Sequence, residues 1–394
     1  MRGVIKTVPG DFAVEEIPLY DPCGEGDHVY MGVRKHGRSH DELIAAVAAA
    51  LGVHQRDIGY AGRKDRLAVT TQQISVHIPG AVELPPLRRD DIEVLWTRRH
   101  GNKLKPGHLL GNRFHIRVRG LNASDTECLQ DRLSKLEHSG LANAFGPQRF
   151  GIAHHSHLLG EALLKEDWNK LVHLLLGGGG DSARDAFDAG DLAAARSLWP
   201  ARFVPERSVL SALMNGANSQ RACDAVRRPM RKFWISALQS AAFNTLLDLR
   251  QEDGSWNRML EGDVAWMLPG GRTFLATAED AASDDVAERL LVGTLSASGP
   301  MWGAKMRQCS GRPRQMEEDA LASMGIAADI FTCAGKLVPG TRRPLKVPVH
   351  DTAMHCETDD IGEFVQLSFS LPAGSYATVA LAALFGCEPV TASP

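Results

Sequence analysis

What the chain lacks narrows it first. None of its seven cysteines is spaced Cys-x-x-Cys, and their odd number and scatter from Cys23 to Cys387 argue against a disulfide framework and a structural zinc knuckle. The longest apolar run, Leu43 to Leu51, is roughly half of the ~20 residues that cross a bilayer, so no membrane partner is expected. Met1 to Lys6 carries no continuous apolar segment before a Pro9-Gly10 turn, so a secretory signal is not expected either. Internal repeats, heptads and low-complexity tracts are missing too. The expectation is a soluble cytoplasmic protein with reduced thiols.

A large net charge is also missing. With 44% hydrophobic and 23% charged residues and a formal net charge of -3, the composition is that of a soluble globular protein. Any nucleic-acid site must therefore come from a local concentration of Lys and Arg. A length of 394 residues implies two or three domains at about 100–200 residues each.

The elements follow from pattern. Phe12 and Val14, with Glu16, share one face of a strand in "DFAVEEIP". Ser39 and Glu42 have capping-box spacing ahead of a helix through "LIAAVAAALGV". Ile74, Val76 and Ile78 alternate as a half-buried strand does, and Ser124 to His138 reads as an amphipathic helix. Gly177 to Gly180 lacks the residues of a phosphate loop and reads as a hinge. His154, His155 and His157 have no Cys or carboxylate at ligand spacing, so they read as surface or RNA-facing side chains and no metal is expected.

Two stretches invite a functional reading. Arg98 to Gly120 holds seven Lys or Arg and no acidic residue, and Phe114, Ile116 and Val118 alternate with His115, Arg117 and Arg119. A solvated edge strand accounts for that alternation as well as a polyanion-binding face does, and the absence of Asp and Glu favours the polyanion. "AGRKDRLA", from Ala61 to Ala68, sets Asp65 among Arg63, Lys64 and Arg66 just before a strand. It is either a solvated turn or a loop that presents a carboxylate.

Four stretches in order carry a family resemblance: "KTVPGDFAVEE" (Lys6 to Glu16), "AGRKDRLAVTTQ" (Ala61 to Gln72), "GNRFHIRVR" through "NAFGPQRFG" (Gly111 to Gly151), and "LPAGSYATVAL" (Leu371 to Leu381). Together they resemble the TruD family of pseudouridine synthases. The resemblance implies an α+β pseudouridine synthase catalytic fold with a central mixed, largely antiparallel sheet, in two parts (1–157 and 338–394). An inserted α+β TRUD-type domain (158–337) would lie between them and form the other wall of an RNA-binding cleft. It also implies isomerisation of a tRNA uridine, at position 13 of the D-arm, without cofactor or metal.

By match to the family's Lys-Asp motif, Asp65 is the catalytic carboxylate. A carboxylate can stabilise or attack an oxocarbenium-like ribose, or take a ribose proton, and it must be ionised to do so. Lys6 is the cation expected to face it, with Lys64 and Arg66 as alternatives. Glu15 and Glu16 are the carboxylates that could accompany it. Phe12, Asn143 and Phe145 match positions around the target base, where rings stack and an amide reads an edge; core packing is the alternative for both Phe. Tyr376 stands where other members carry Phe, as a base for the uracil C5 proton or a stacking ring. Arg113, Arg117, Arg119 and Arg149, with Arg98, Arg99, Lys103, Lys105, Arg342 and Arg343, would hold phosphates, and Lys64 is grouped with the substrate-binding set. Non-catalytic RNA binding is the rival reading, and a nucleosidase is a third.

Overall fold

The strand Leu109–Arg119 alternates as its sequence requires: Phe114, Ile116 and Val118 are buried and His115 and Arg117 are not. It is no edge strand. Gly362–Pro372 pairs with it antiparallel on one side and Phe12–Pro18 on the other. The computed structural model describes residues 3–80, 89–333, 338–387 and 390–391.

Two compact units are present. The first gathers 1–141, 291–293 and 347–394, and the second 142–290 and 294–346. The first unit is built on a 10-stranded sheet whose main path runs His350–Asp359, Gly362–Pro372, Leu109–Arg119, Phe12–Pro18, Val69–His77, His28–His36, Ile92–His100. Only Phe12–Pro18 and Val69–His77 run parallel along that path. The fold is therefore α+β with a mixed, largely antiparallel sheet, as expected.

Cross-strand partners share a face, and Phe114, Val14, Ile74 and Val33 place the apolar side chains of successive strands on the same one. The helices Ala123–Ser139 and Ala377–Phe385 pack Leu129, Leu133, Leu381 and Phe385 onto it at one end. His40–Leu51 packs Leu43, Ile44 and Val47 at the other. That helix starts where its capping box predicts: Glu42 N–H donates to Ser39 Oγ at 3.2 Å and Ser39 N–H to Glu42 Oε2 at 2.7 Å. It stops at Gly52 in the left-handed region (φ 65°). Val69–His77 is more buried than a half-buried strand, because Ser75 on its other face is covered and accepts the Leu104 N–H at 2.9 Å.

The second unit packs helices between Ser156 and Glu252 around the 25-residue helix Arg228–Glu252, beside a four-stranded sheet of Thr273–Leu275, Val264–Met267, Leu295–Met301 and Thr341–Pro344. The glycine run is tied down rather than hinged. The Asp188 carboxylate accepts the N–H of Gly178 and Gly179 at 3.1 and 3.0 Å, and Arg184 donates to the Gly177 carbonyl at 2.6 Å. His155 and His157 also depart from expectation: both are partly buried, burial holds both imidazoles below their ordinary pKa, and His157 meets Phe150 edge-on at 5.5 Å. Among the described residues no helix is long and apolar enough to cross a membrane, and no group of three His, Cys, Asp or Glu could hold a metal.

Candidate functional site

The two parallel strands begin side by side, with Ala13 opposite Val69. The residues that precede them, Lys6 to Asp11 and Asp65 to Ala68, are thereby delivered to one end of the sheet. Asp65 lies on the loop between Ile58–Tyr60 and Val69–His77 with a carboxylate 64% exposed. Lys6 brings its ammonium to 3.5 Å from Asp65 Oδ2 and 4.2 Å from the centre of the Phe12 ring. The Lys6 backbone takes a left-handed conformation (φ 59°), costly for a residue with a Cβ, and that turn carries the chain into the Phe12 strand.

Lys64 is turned the other way. Its ammonium is 2.9 Å from Glu16 Oε2 and donates to Asn112 Oδ1 at 2.6 Å, with both charged side chains at most 5% exposed. Alternation along an extended chain sends neighbours to opposite sides, so Lys64 anchors the loop and is not available to a substrate. Glu16 is consumed by the same pair and by the Gln73 N–H at 3.2 Å, so it is no second carboxylate beside Asp65. Arg63 clasps Asp41 through two 2.8 Å contacts in solvent.

Phe12, expected to offer a stacking face, is 3% exposed. It belongs to the core beneath the helices, edge-on to Phe114 at 6.3 Å, and supports Lys6 through its ring. Tyr376, half-buried, is the N-cap residue of Ala377–Phe385.

The strand guanidiniums are matched by acids. Arg113 meets Asp351 at 3.1 Å, Arg117 meets Asp359 at 3.1 Å, and Arg119 joins Asp359 and the fully buried Asp11 at 2.7 Å each. The hydrogen bonds of Arg119 hold the Asp359 carboxyl well below the usual carboxylate range. Arg119 is thus a structural clamp rather than a phosphate contact. Arg99 spends its guanidinium on the carbonyls of Gly26, Ile78 and Gly80, and Lys103 on that of Arg56.

In the second unit, Asn143 is 2% exposed, donates to the Pro344 carbonyl at 2.9 Å and accepts from Arg343 at 2.6 Å. The Arg343 guanidinium lies 4.1 Å from the centre of the Phe145 ring, which meets Phe243 edge-on at 5.6 Å. Arg149 donates to Ser240 Oγ at 3.0 Å and reaches Ser236. Arg342, expected among the phosphate contacts, is buried against Glu317 at 2.7 Å and cannot be one. Asn143, Phe145, Arg149 and Arg343 therefore form one packed cluster.

Sequence reasoning passed over Lys35. Its ammonium is wholly buried and donates at 2.6 Å to the main-chain carbonyls of both Asp65 and Arg38. The signal was its place two residues after Val33 and four after Met31, which puts a lysine on the apolar face of a strand.

Residues 1–384 match the family model described as tRNA pseudouridine synthase D (TruD). The chain belongs to the TruD family. It is 38% identical over 388 residues to the tRNA pseudouridine synthase D of Geobacter sulfurreducens, covering 96% of this chain and 93% of that protein. The Methylococcus capsulatus protein of the same name is 35% identical over 390 residues, 98% and 92% of the two chains. A crystal structure from Methanosarcina mazei, provisionally assigned as tRNA pseudouridine synthase D, superposes with a TM-score of 0.77 at 25% identity, covering 98% of this chain and 94% of that one. The TruD match covers residues of both units.

Proposed function

We propose that the chain is a tRNA pseudouridine synthase that isomerises a D-arm uridine, at position 13, with Asp65 as the essential carboxylate. The observation that carries the reading is the Asp65 loop. It holds a carboxylate accessible to an RNA ribose, faced by Lys6 at 3.5 Å and fixed from below through its own carbonyl. A solvated turn needs no buried ammonium on its main chain.

In the isomerisation the bond between uracil N1 and ribose C1′ breaks, the freed base turns, and a bond forms between C1′ and C5. The C5 proton then leaves. Asp65 acts at the ribose, where positive character develops, either by attack or by taking a proton. Lys6 faces the carboxylate from 3.5 Å. Tyr376 is assigned to the uracil, as base for C5 or as a ring against it. The surface cations Arg98 and Lys105 are assigned to phosphates, as are Arg113 and Arg117 once a phosphate displaces Asp351 and Asp359, and Phe145 and Arg149 are assigned to RNA, with the buried Asn143 supporting their cluster from within. The cytoplasm is the matching compartment.

The test is tritium release from C5-labelled uridine in bulk unmodified tRNA, wild type against Asp65→Asn at matched RNA affinity. Release by wild type alone supports the assignment. No release by either, with tight salt-sensitive binding by both, transfers the reading to non-catalytic RNA binding.

A further inference from the structure

Lys35 sits near the end of the strand His28–His36, opposite Thr70 of Val69–His77. Its side chain has no exposure to solvent. An ammonium is among the costliest groups to remove from water, and burial pushes this one down from 10.5 to about 8 although Asp65 and Glu42 oppose the shift. Its two 2.6 Å bonds both end on main-chain oxygens, those of Arg38 and Asp65. A fold selected for stability alone would do as well with an apolar side chain of similar volume there, since buried charge is often neutral or unfavourable to stability.

The placement gives the cost a purpose. The loop is held at Lys64 by a buried side-chain pair and at Asp65 by its carbonyl, so the backbone on both sides of the Asp65 Cα is fixed. Among the described residues the Asp65 side chain is held by the loose 3.5 Å contact with Lys6, and it projects 64% exposed. Precision in the carboxylate must come from the main chain that carries it, and catalytic geometry tolerates errors of only about 0.5 Å.

We infer that Lys35 is a positioning residue for the reaction: its buried ammonium ties the Asp65 carbonyl to the Arg38 carbonyl and so aims the Asp65 carboxylate at the ribose. The inference rests on the proposed isomerisation. Lys35 touches no substrate and acts through Asp65 alone. The groups facing it are Asp65 and Lys64 from the loop and Glu42 and His40 from the helix, and of these the buried His40 imidazole is already neutral well below pH 7.

The experiment compares wild type, Lys35→Met and Lys35→Arg by tritium release from C5-labelled tRNA, with kcat, KM and thermal midpoint measured for each. The charge-assisted bonds lost in Lys35→Met correspond to a kcat on the order of 10- to 100-fold lower. KM should stay within about threefold and the midpoint should not fall, because no tRNA contact and no net stabilising burial is lost. Lys35→Arg, which keeps a charged donor, should recover part of the loss. In wild type kcat should decline as pH rises through about 8, where the ammonium loses its proton, and that decline should be missing in Lys35→Met. An unchanged kcat in Lys35→Met overturns the inference while the isomerase reading stands. A lowered midpoint, with kcat and KM lost together in both variants, overturns it in favour of a plain structural role. No release by wild type removes the isomerase reading and this inference with it.

Discussion

The loop Arg63 to Arg66 and the strand Leu109–Arg119 are both basic stretches of the first unit, and they dispose of their charge in opposite ways. On the strand, Arg113, Arg117 and Arg119 each meet a carboxylate brought from elsewhere in the chain, Asp351 or Asp359 about 240 residues on and Asp11 108 residues before. On the loop the cations turn aside, Arg63 to Asp41 and Lys64 to Glu16, and the one carboxylate is left exposed with a distant-sequence Lys beside it. A run of one sign of charge is thus no guide to an accessible potential. The fold neutralises the longer basic run and leaves open the shorter one with the acid in it.

The comparison can be broken at four points. The largest effect is expected at Asp65: Asp65→Asn should lower kcat for tritium release by at least about a thousandfold, on the order of 4 kcal/mol, while tRNA affinity holds. Retained activity would equate the loop with a solvated turn. Next comes Lys64→Met, which strands the Glu16 carboxylate in the interior and should cost about 3–5 kcal/mol in a urea titration; a change under 1 kcal/mol would show the pair to be ornamental.

Acid separates the two regions further. Burial, reinforced by Arg63, lowers the His40 imidazole beneath the loop from 6.5 to about 4. A histidine depressed on folding takes up its proton first in the unfolded chain, so stability should be lost as pH falls from about 6.5 toward 4, by on the order of 3 kcal/mol. His40→Phe should flatten this slope, whereas Asp359 on the strand side, held far below the usual range, keeps its partners throughout that window. An equally steep slope in His40→Phe would move the acid sensitivity elsewhere. The smallest effect is at Arg113. Its pair with Asp351 is exposed, so Arg113→Ala should change stability by less than about 1 kcal/mol and the log–log salt slope of tRNA binding by no more than about 1.

Much of this was legible from the residues. The capping box at Ser39 and Glu42, the alternation of Phe114, Ile116 and Val118, and the strand that begins at Phe12 all follow from local pattern, whereas its parallel pairing with Val69–His77 does not. Local pattern also placed Asp65 on a loop entering a sheet. What it could not supply were partners. That Arg119 is clamped by Asp11 and Asp359, that Arg342 faces Glu317, and that Asp188 ties the glycine run depends on contacts which sequence spacing does not encode. Phe12 shows the same limit in reverse, since a core ring and a stacking ring look alike until exposure is known. Lys35 was overlooked because a lysine in a strand reads as an outward-facing residue, although its period-two neighbours point inward.

The pairing of Leu109–Arg119 with Gly362–Pro372 has a consequence for how the protein is born. Arg119 lies opposite Phe364, 245 positions further along the chain, and the intervening segment must leave the ribosome before the ladder can close. At about 5–20 residues per second this takes roughly 12–50 s. For that time one rim of the nascent sheet, carrying Phe114 and Ile116, stands without its neighbour, and the second unit, whose sheet ends with Thr341–Pro344, is complete before that neighbour arrives. The unit that holds Asp65 is begun first and finished last.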